Sequence, residues 1–186
     1  MKKTGTVLTG LILLIGLAGC STQQAGGDES SNQGKDLEKS QFKVSAKEAL
    51  HIAREKGDGD VTKLELEKEN QKYAYKVEMM TDTEKTKIGI DANSKKIIKN
   101  KTDKLDDDKI KKDREQSKIE LTGIISPKEA MEKATDKADG KATKWKIERK
   151  NGPTYYEVDV HKSGGKEDEV KVDAKDGHII SMGKDD

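Results

Sequence analysis

The sequence predicts an α+β fold made of two repeated units, each an N-terminal helix packed on a small antiparallel sheet of about three strands. Three observations predict it. The first is a duplication: Val44-Ser45-Ala46-Lys47-Glu48-Ala49-Leu50 returns as Ile125-Ser126-Pro127-Lys128-Glu129-Ala130-Met131, an offset of 81 residues from Ser45 to Ser126. The second is a helix-start signal at the head of each copy. The third is a change of hydrophobic period from helical to two once the glycines after each helix are passed.

Taken in chain order, Met1-Lys2-Lys3 and the apolar run from Val7 to Ala18 have signal-peptide composition. The run is about a dozen residues, short of the roughly 20 that cross a bilayer core. It closes on Leu17-Ala18-Gly19-Cys20, which resembles the bacterial lipobox. That resemblance implies a signal peptide of residues 1–19, cleavage before Cys20 and lipid on its sulfur, holding the protein on the outer face of the cytoplasmic membrane. Ordinary secretory cleavage near Ala18-Gly19 is the alternative. Cys20 is the single cysteine, so an intramolecular disulfide is excluded. Loss of residues 1–19 removes two lysines and moves the formal charge from +1 to −1, which excludes the basic footprint of a nucleic-acid binder. Residues 20–42 follow as a lipidated Cys and flexible tether, polar apart from a few apolar residues such as Ala25 and Leu37.

The first unit spans residues 43–104. Ser45 stands as N-cap with Glu48 three residues on, and Val44 occupies the staple position. Ala49, Ile52 and Ala53 make a thin stripe of small residues, suited to close packing on a sheet but marginal alone. Gly57 and Gly59 end the helix. Leu64 and Leu66, then Tyr73, Tyr75, Val77 and Met79, alternate with charge as strands do. Ile88, Ile90 and the Asp91-Ala92 turn lead to a short closing segment at Ile97-Ile98. The opposite sheet face is mostly Lys and Glu and should meet water.

Residues 105–121 read as a charged linker, partly helical at most. Its Asp106-Asp107-Asp108 run lacks the alternate spacing and central Gly of a calcium loop, so no metal is assigned. The second unit, 122–186, repeats the first. Pro127 sits at the first helical position, where its missing N–H costs nothing. Trp145, Ile147, Tyr156, Val158, Val170 and Val172 fall on the strand positions, and Gly177 on the last turn.

The order of parts resembles the PepSY domain family, found in metallopeptidase propeptides and in many bacterial secreted or membrane-attached proteins. It is carried by Ser45, Glu48, Ala49, Tyr75, Val77, Asp91 and Ala92, and again by Ser126, Glu129, Ala130, Tyr156, Val158, Asp173, Ala174 and Gly177. Ser94-Lys95 departs from the pattern where the family has Gly in the turn. The resemblance implies a domain that restrains or modulates peptidases, and it brings no catalytic residues.

Residue chemistry agrees in not pointing to an enzyme. His51, His161 and His178 occur neither in HExxH nor at corresponding repeat positions, and no cofactor is implied. The expected function is therefore non-enzymatic: a membrane-anchored lipoprotein that binds and modulates an exported peptidase or other envelope protein. The alternative is a structural protein that binds wall polymer or a membrane complex. Tyr75 and Tyr156 read as packing residues. Trp145 and Tyr155 are the candidate partner-binding residues, each open to a core reading.

Overall fold

A computed structural model of the chain describes residues 36–105 and 107–184, with side chains left out for 107–111. The signal segment, Cys20 and most of the tether lie outside the described residues, as do Asp106 and the side chains of Asp107 and Asp108.

The first unit runs α1 (Ala46–Arg54), β1 (Asp60–Glu69), β2 (Lys72–Met80), β3 (Glu84–Asp91) and β4 (Ile97–Lys104). After α2 (Asp107–Ser117), the second unit repeats the order as α3 (Pro127–Ala138), β5 (Gly140–Arg149), β6 (Thr154–Lys162), β7 (Glu167–Asp173) and β8 (Ile179–Lys184). The helix starts form as the sequence predicts. The Ser45 hydroxyl accepts the Glu48 N–H at 3.2 Å and the Ser126 hydroxyl accepts the Glu129 N–H at 3.1 Å.

The eight strands form one antiparallel sheet in the order β4-β3-β2-β1-β5-β6-β7-β8. The first strands of the two units meet at its centre. There Lys63 pairs with Glu148, Leu64 with Ile147, Glu65 with Lys146 and Leu66 with Trp145. Glu65 and Lys146 are also equivalent in the duplication, so a local twofold axis passes between them, normal to the sheet. Such an axis puts both unit helices on one face. A single core results, containing Ala49 and Ala53 of α1, Ala130 and Ala134 of α3, and the inward residues of strands from both units.

Two details extend the sequence reading. The expected short closing segments are full edge strands, so each unit contributes four strands rather than about three. The expected linker holds an 11-residue helix, α2, docked beside β1: Arg114 donates to Asp60 at 2.7 Å and to Asp82 at 2.6 Å.

At the seam each unit is strapped by the segment leading into the other's territory. The Leu37 N–H donates to the Ala142 carbonyl of β5 at 2.8 Å, and the Ile119 N–H donates to the Val61 carbonyl of β1 at 2.9 Å. Val61 and Ala142 are equivalent positions, so the two straps are related by the same axis. Leu37 is 2% and Ile119 5% exposed. Burial of side chains this size stabilises by about 1.5–3 kcal/mol each.

The glycines opening β1 and β5 share one reason. A Cβ at Gly59 would lie 2.2 Å from the Met80 carbonyl oxygen, and one at Gly140 would lie 2.6 Å from that of His161. The α3 helix itself ends one residue before Gly140, on Asp139 in the left-handed region (φ 55°), whose N–H returns to the Thr135 carbonyl at 2.9 Å.

Candidate interaction surfaces

The residues that recur in both units hold the fold together. Tyr75 donates its hydroxyl to the Val44 carbonyl at 3.0 Å, and Tyr156 donates to that of Ile125 at 2.9 Å, each reaching 31 residues back to the residue before its helix cap. The same residues are tied from the other side. The Val44 N–H donates to the Ala92 carbonyl at 3.0 Å and the Ile125 N–H to that of Ala174 at 2.8 Å. The preceding aspartates shape the turns: Asp91 Oδ1 accepts the N–H groups of Asn93 and Ser94, and Asp173 Oδ1 accepts that of Lys175. Ser, Tyr and Asp-Ala thus form one structural circuit per unit, joining helix start, second strand and last turn.

Trp145 is core. It is 2% exposed and lies edge-on between Tyr75 (centroids 6.3 Å, 67°) and Tyr156 (6.1 Å, 64°). Of the two readings left open by the sequence, packing is the one realised, because Trp145 stands opposite Leu66 on the helix-covered side of the seam. Tyr155 points to the other face and is 9% exposed. Its hydroxyl donates to Glu148 Oε1 at 2.9 Å, and Lys171 Nζ lies 5.7 Å above its ring. Burial first and then the Glu148 carboxylate raise its pKa.

The sheet face opposite α1 and α3 differs from the water-exposed surface expected. Glu65, Glu148, Glu157 and Asp159 are nearly buried beneath neighbouring lysine stems. Lys146 pairs with Glu157 and, at 3.6 Å, with Glu148; Lys144 reaches Asp159 at 3.4 Å; Lys171 reaches Glu169 at 3.0 Å. Burial pushes Glu65 up to about 7, aided by the adjacent Glu67. Burial raises Glu157 as well, against the pull of Lys146 and with the help of Glu169.

Two groups of side chains have ligand atoms within 4.8 Å of one another, Asp173-Asp176-His178 and Glu157-Asp159-Glu169. Their oxygens already serve other partners. Asp173 caps its turn, Asp176 accepts from His178 Nδ1 at 2.6 Å, and the second group is interleaved with the lysines above. His51 contacts Glu55 at 3.3 Å on α1, and His161 lies at the end of β6, so the three histidines do not converge.

Between the N-terminal ends of α1 and α3 lies a groove of about 540 Å³. Leu66, Tyr75, Met131 and Trp145 contribute to its lining, together with Leu37 and Phe42 from the strap. The other open features are the sheet edges. Ile97 and Ile98 on β4 and Ile180 and Met182 on β8 are the exposed large apolar side chains among the described residues.

The model of the peptidase propeptide and YPEB domain matches residues 43–101 and again residues 124–182. The chain belongs to the PepSY family. Its two PepSY units coincide with the two helix-plus-sheet repeats of the structure. The Bacillus subtilis (strain 168) protein YkoJ, described as uncharacterized, is 28% identical over 176 residues, covering 91% of this chain and 94% of YkoJ. A Clostridium difficile 630 protein described as a "putative lipoprotein" has a crystal structure that superposes with a TM-score of 0.76 at 31% identity. The match covers 82% of this chain and all of that one.

These matches give the PepSY circuit a physical meaning. The positions that carried the family resemblance, Ser45, Tyr75 and Asp91 and their counterparts Ser126, Tyr156 and Asp173, are scaffold residues here. The missing Gly at Ser94-Lys95 is absorbed by Lys95, which takes the left-handed conformation at φ 62° where its counterpart Gly177 has φ 76°.

Proposed function

We propose that this tandem PepSY protein is a non-enzymatic lipoprotein, anchored through Cys20 on the outer face of the membrane, that binds and modulates an exported peptidase or another envelope protein. The observation that carries the reading is the assignment of the recurring polar residues to structural hydrogen bonds. Ser45, Ser126, Tyr75, Tyr156, Asp91 and Asp173 all act on backbone groups of their own unit. Among the described residues the motif contains no nucleophile–base pair. The family description as a peptidase propeptide domain and the lipoprotein description of the Clostridium relative support the same reading.

Contact through a sheet edge suits such a role, because an open edge offers N–H and C=O groups to an extended segment of a partner. The test is crosslinking in the intact envelope followed by mass spectrometry of the adducts. A peptidase recovered in contact with this chain supports modulation. Adducts confined to wall polymer or a membrane complex would replace it by the structural alternative. Peptide turnover by the purified chain alone would end the non-enzymatic reading. Radiolabelled fatty acid should label the wild type and not C20S; label persisting in C20S would refute the anchor at that residue.

A further inference from the structure

We propose that β8 is a pairing edge for a second copy of this chain, the two β8 strands running antiparallel so that the sheets of two molecules join. The pairing is independent of any peptidase or envelope partner.

The backbone sets the kind of occupant. β8 is bonded to β7 on one side and, among the described residues, is the last strand of the sheet on the other. Another extended strand is the occupant that satisfies a row of edge N–H and C=O groups. The side chains then distinguish the two edges. Over β4, Lys99, Lys101, Asp103 and Lys104 follow the two isoleucines, and Lys101 and Asp103 pair at 2.6 Å. Charged edges of this kind block further strand addition. Over β8, Ile179-Ile180-Ser181-Met182-Gly183 contains no charge and Lys184 at the strand end is the one charged residue, while Ile180 and Met182 are 43% and 46% exposed.

Self-complementarity selects the second copy. Two β8 strands turned about Ser181 set the uncharged stretch 179–183 against itself, with Ile180 beside Met182 of the other molecule and no like charges opposed. The same operation on β4 would bring lysine-rich segments together, which is destabilising. A formal net charge of −1 after loss of residues 1–19 adds little long-range repulsion between copies. The molecule already contains the same kind of junction, since β1 and β5 join its own halves by four antiparallel pairs about a twofold axis. Closed pairing about such an axis uses one patch twice and leaves no surplus edge at the junction.

The test uses the full chain in its native envelope, with a benzophenone amino acid at position 181 and two co-expressed copies bearing different epitope tags. Irradiation should give an adduct of twice the chain mass carrying both tags. The same probe at Lys99, the equivalent position on β4, should give none. Adding Met182→Lys to the position-181 probe should lower the adduct about tenfold, an equilibrium change of ~1.4 kcal/mol. Circular dichroism of the purified M182K chain verifies that it folds; if it does not, Ile180→Lys takes its place. Absence of a two-tag adduct, or equal adduct from positions 99 and 181, overturns the proposal. So does an adduct at 181 with a different protein only, which leaves the binding role standing.

Discussion

The two units share a backbone plan and differ in what fills it. At the position where the second unit places Trp145, the first has Leu64, and both are buried. At the axis the first has Glu65 and the second Lys146, paired across the seam. Had both copies kept glutamate, like charges would face one another on adjacent strands; had both kept lysine, the same would hold. Divergence at this one position lets the duplicate pair with its original. The difference teaches that the units are halves of one sheet, each completed by the other.

The strongest way to break this comparison is to separate the halves. Residues 43–104 and 122–186, expressed alone, each lose a strap and the opposing central strand, and each is small enough that a single core is marginal. Neither should show the cooperative melt of the intact chain by circular dichroism. Two halves that each melted at the temperature of the intact chain would show that the seam contributes nothing. Next in size is K146E, which sets a carboxylate against Glu65 and among Glu148 and Glu157. Urea unfolding should record a loss of roughly 3–5 kcal/mol, the cost of reversing one member of a largely buried ion pair. A loss under about 1 kcal/mol, the scale of exposed pairs, would mean that the face is wetter than its geometry indicates.

The straps allow a reciprocal test. L37A and I119A each remove a buried branched side chain from the opposite unit and should cost about 2–4 kcal/mol apiece. Similar values for both would support the twofold equivalence, whereas a neutral L37A would remove the first strap from the account.

A smaller effect concerns pH. The pKa of Glu65 rises from an ordinary 4.5 to about 7 on folding. A raised folded pKa means that its contribution is complete below about 4.5 and is lost as pH climbs through 7. E65Q, which imitates the protonated form, should therefore gain about 1–3 kcal/mol over wild type above pH 7 and little near pH 4. Parallel stability profiles for the two proteins from pH 4 to 8 would contradict this. The smallest change is K95G. Relief of the left-handed residue is worth about 1–2 kcal/mol, reduced by loss of the solvent-screened Lys95–Glu48 pair. The midpoint of thermal unfolding should rise slightly; a fall would give the ion pair the larger share.

Much of each unit was legible because local chemistry announces it. Ser-x-x-Glu caps, small-residue helix stripes and alternating Leu, Tyr and Val locate α1, α3 and the inner strands. The edge strand β4 looks like a short segment in the sequence because Lys99 to Lys104 carries no apolar alternation; its partner β3 holds it. The straps were illegible for a related reason. Leu37 and Ile119 are isolated apolar residues in charged surroundings, and their burial depends on contacts a whole unit away. Pairing of β1 with β5 is equally non-local, so the sequence shows the two units and not the seam that joins their strands in one sheet. The burial of Trp145 depends on Tyr75 of the other unit, a contact that local sequence does not reveal.

The strap at Leu37 also determines where mechanical load enters. Among the described residues, a pull from the N-terminal side meets the bond from Leu37 to Ala142, which belongs to the second unit, before it meets α1 of the first. Tension therefore peels the strap from the seam before it reaches a helix. Leu37 and Phe42 line the same groove as Trp145, the one tryptophan of the chain. A tug too gentle to unfold either unit would thus be reported by indole fluorescence, as water reached a ring that the resting fold keeps dry.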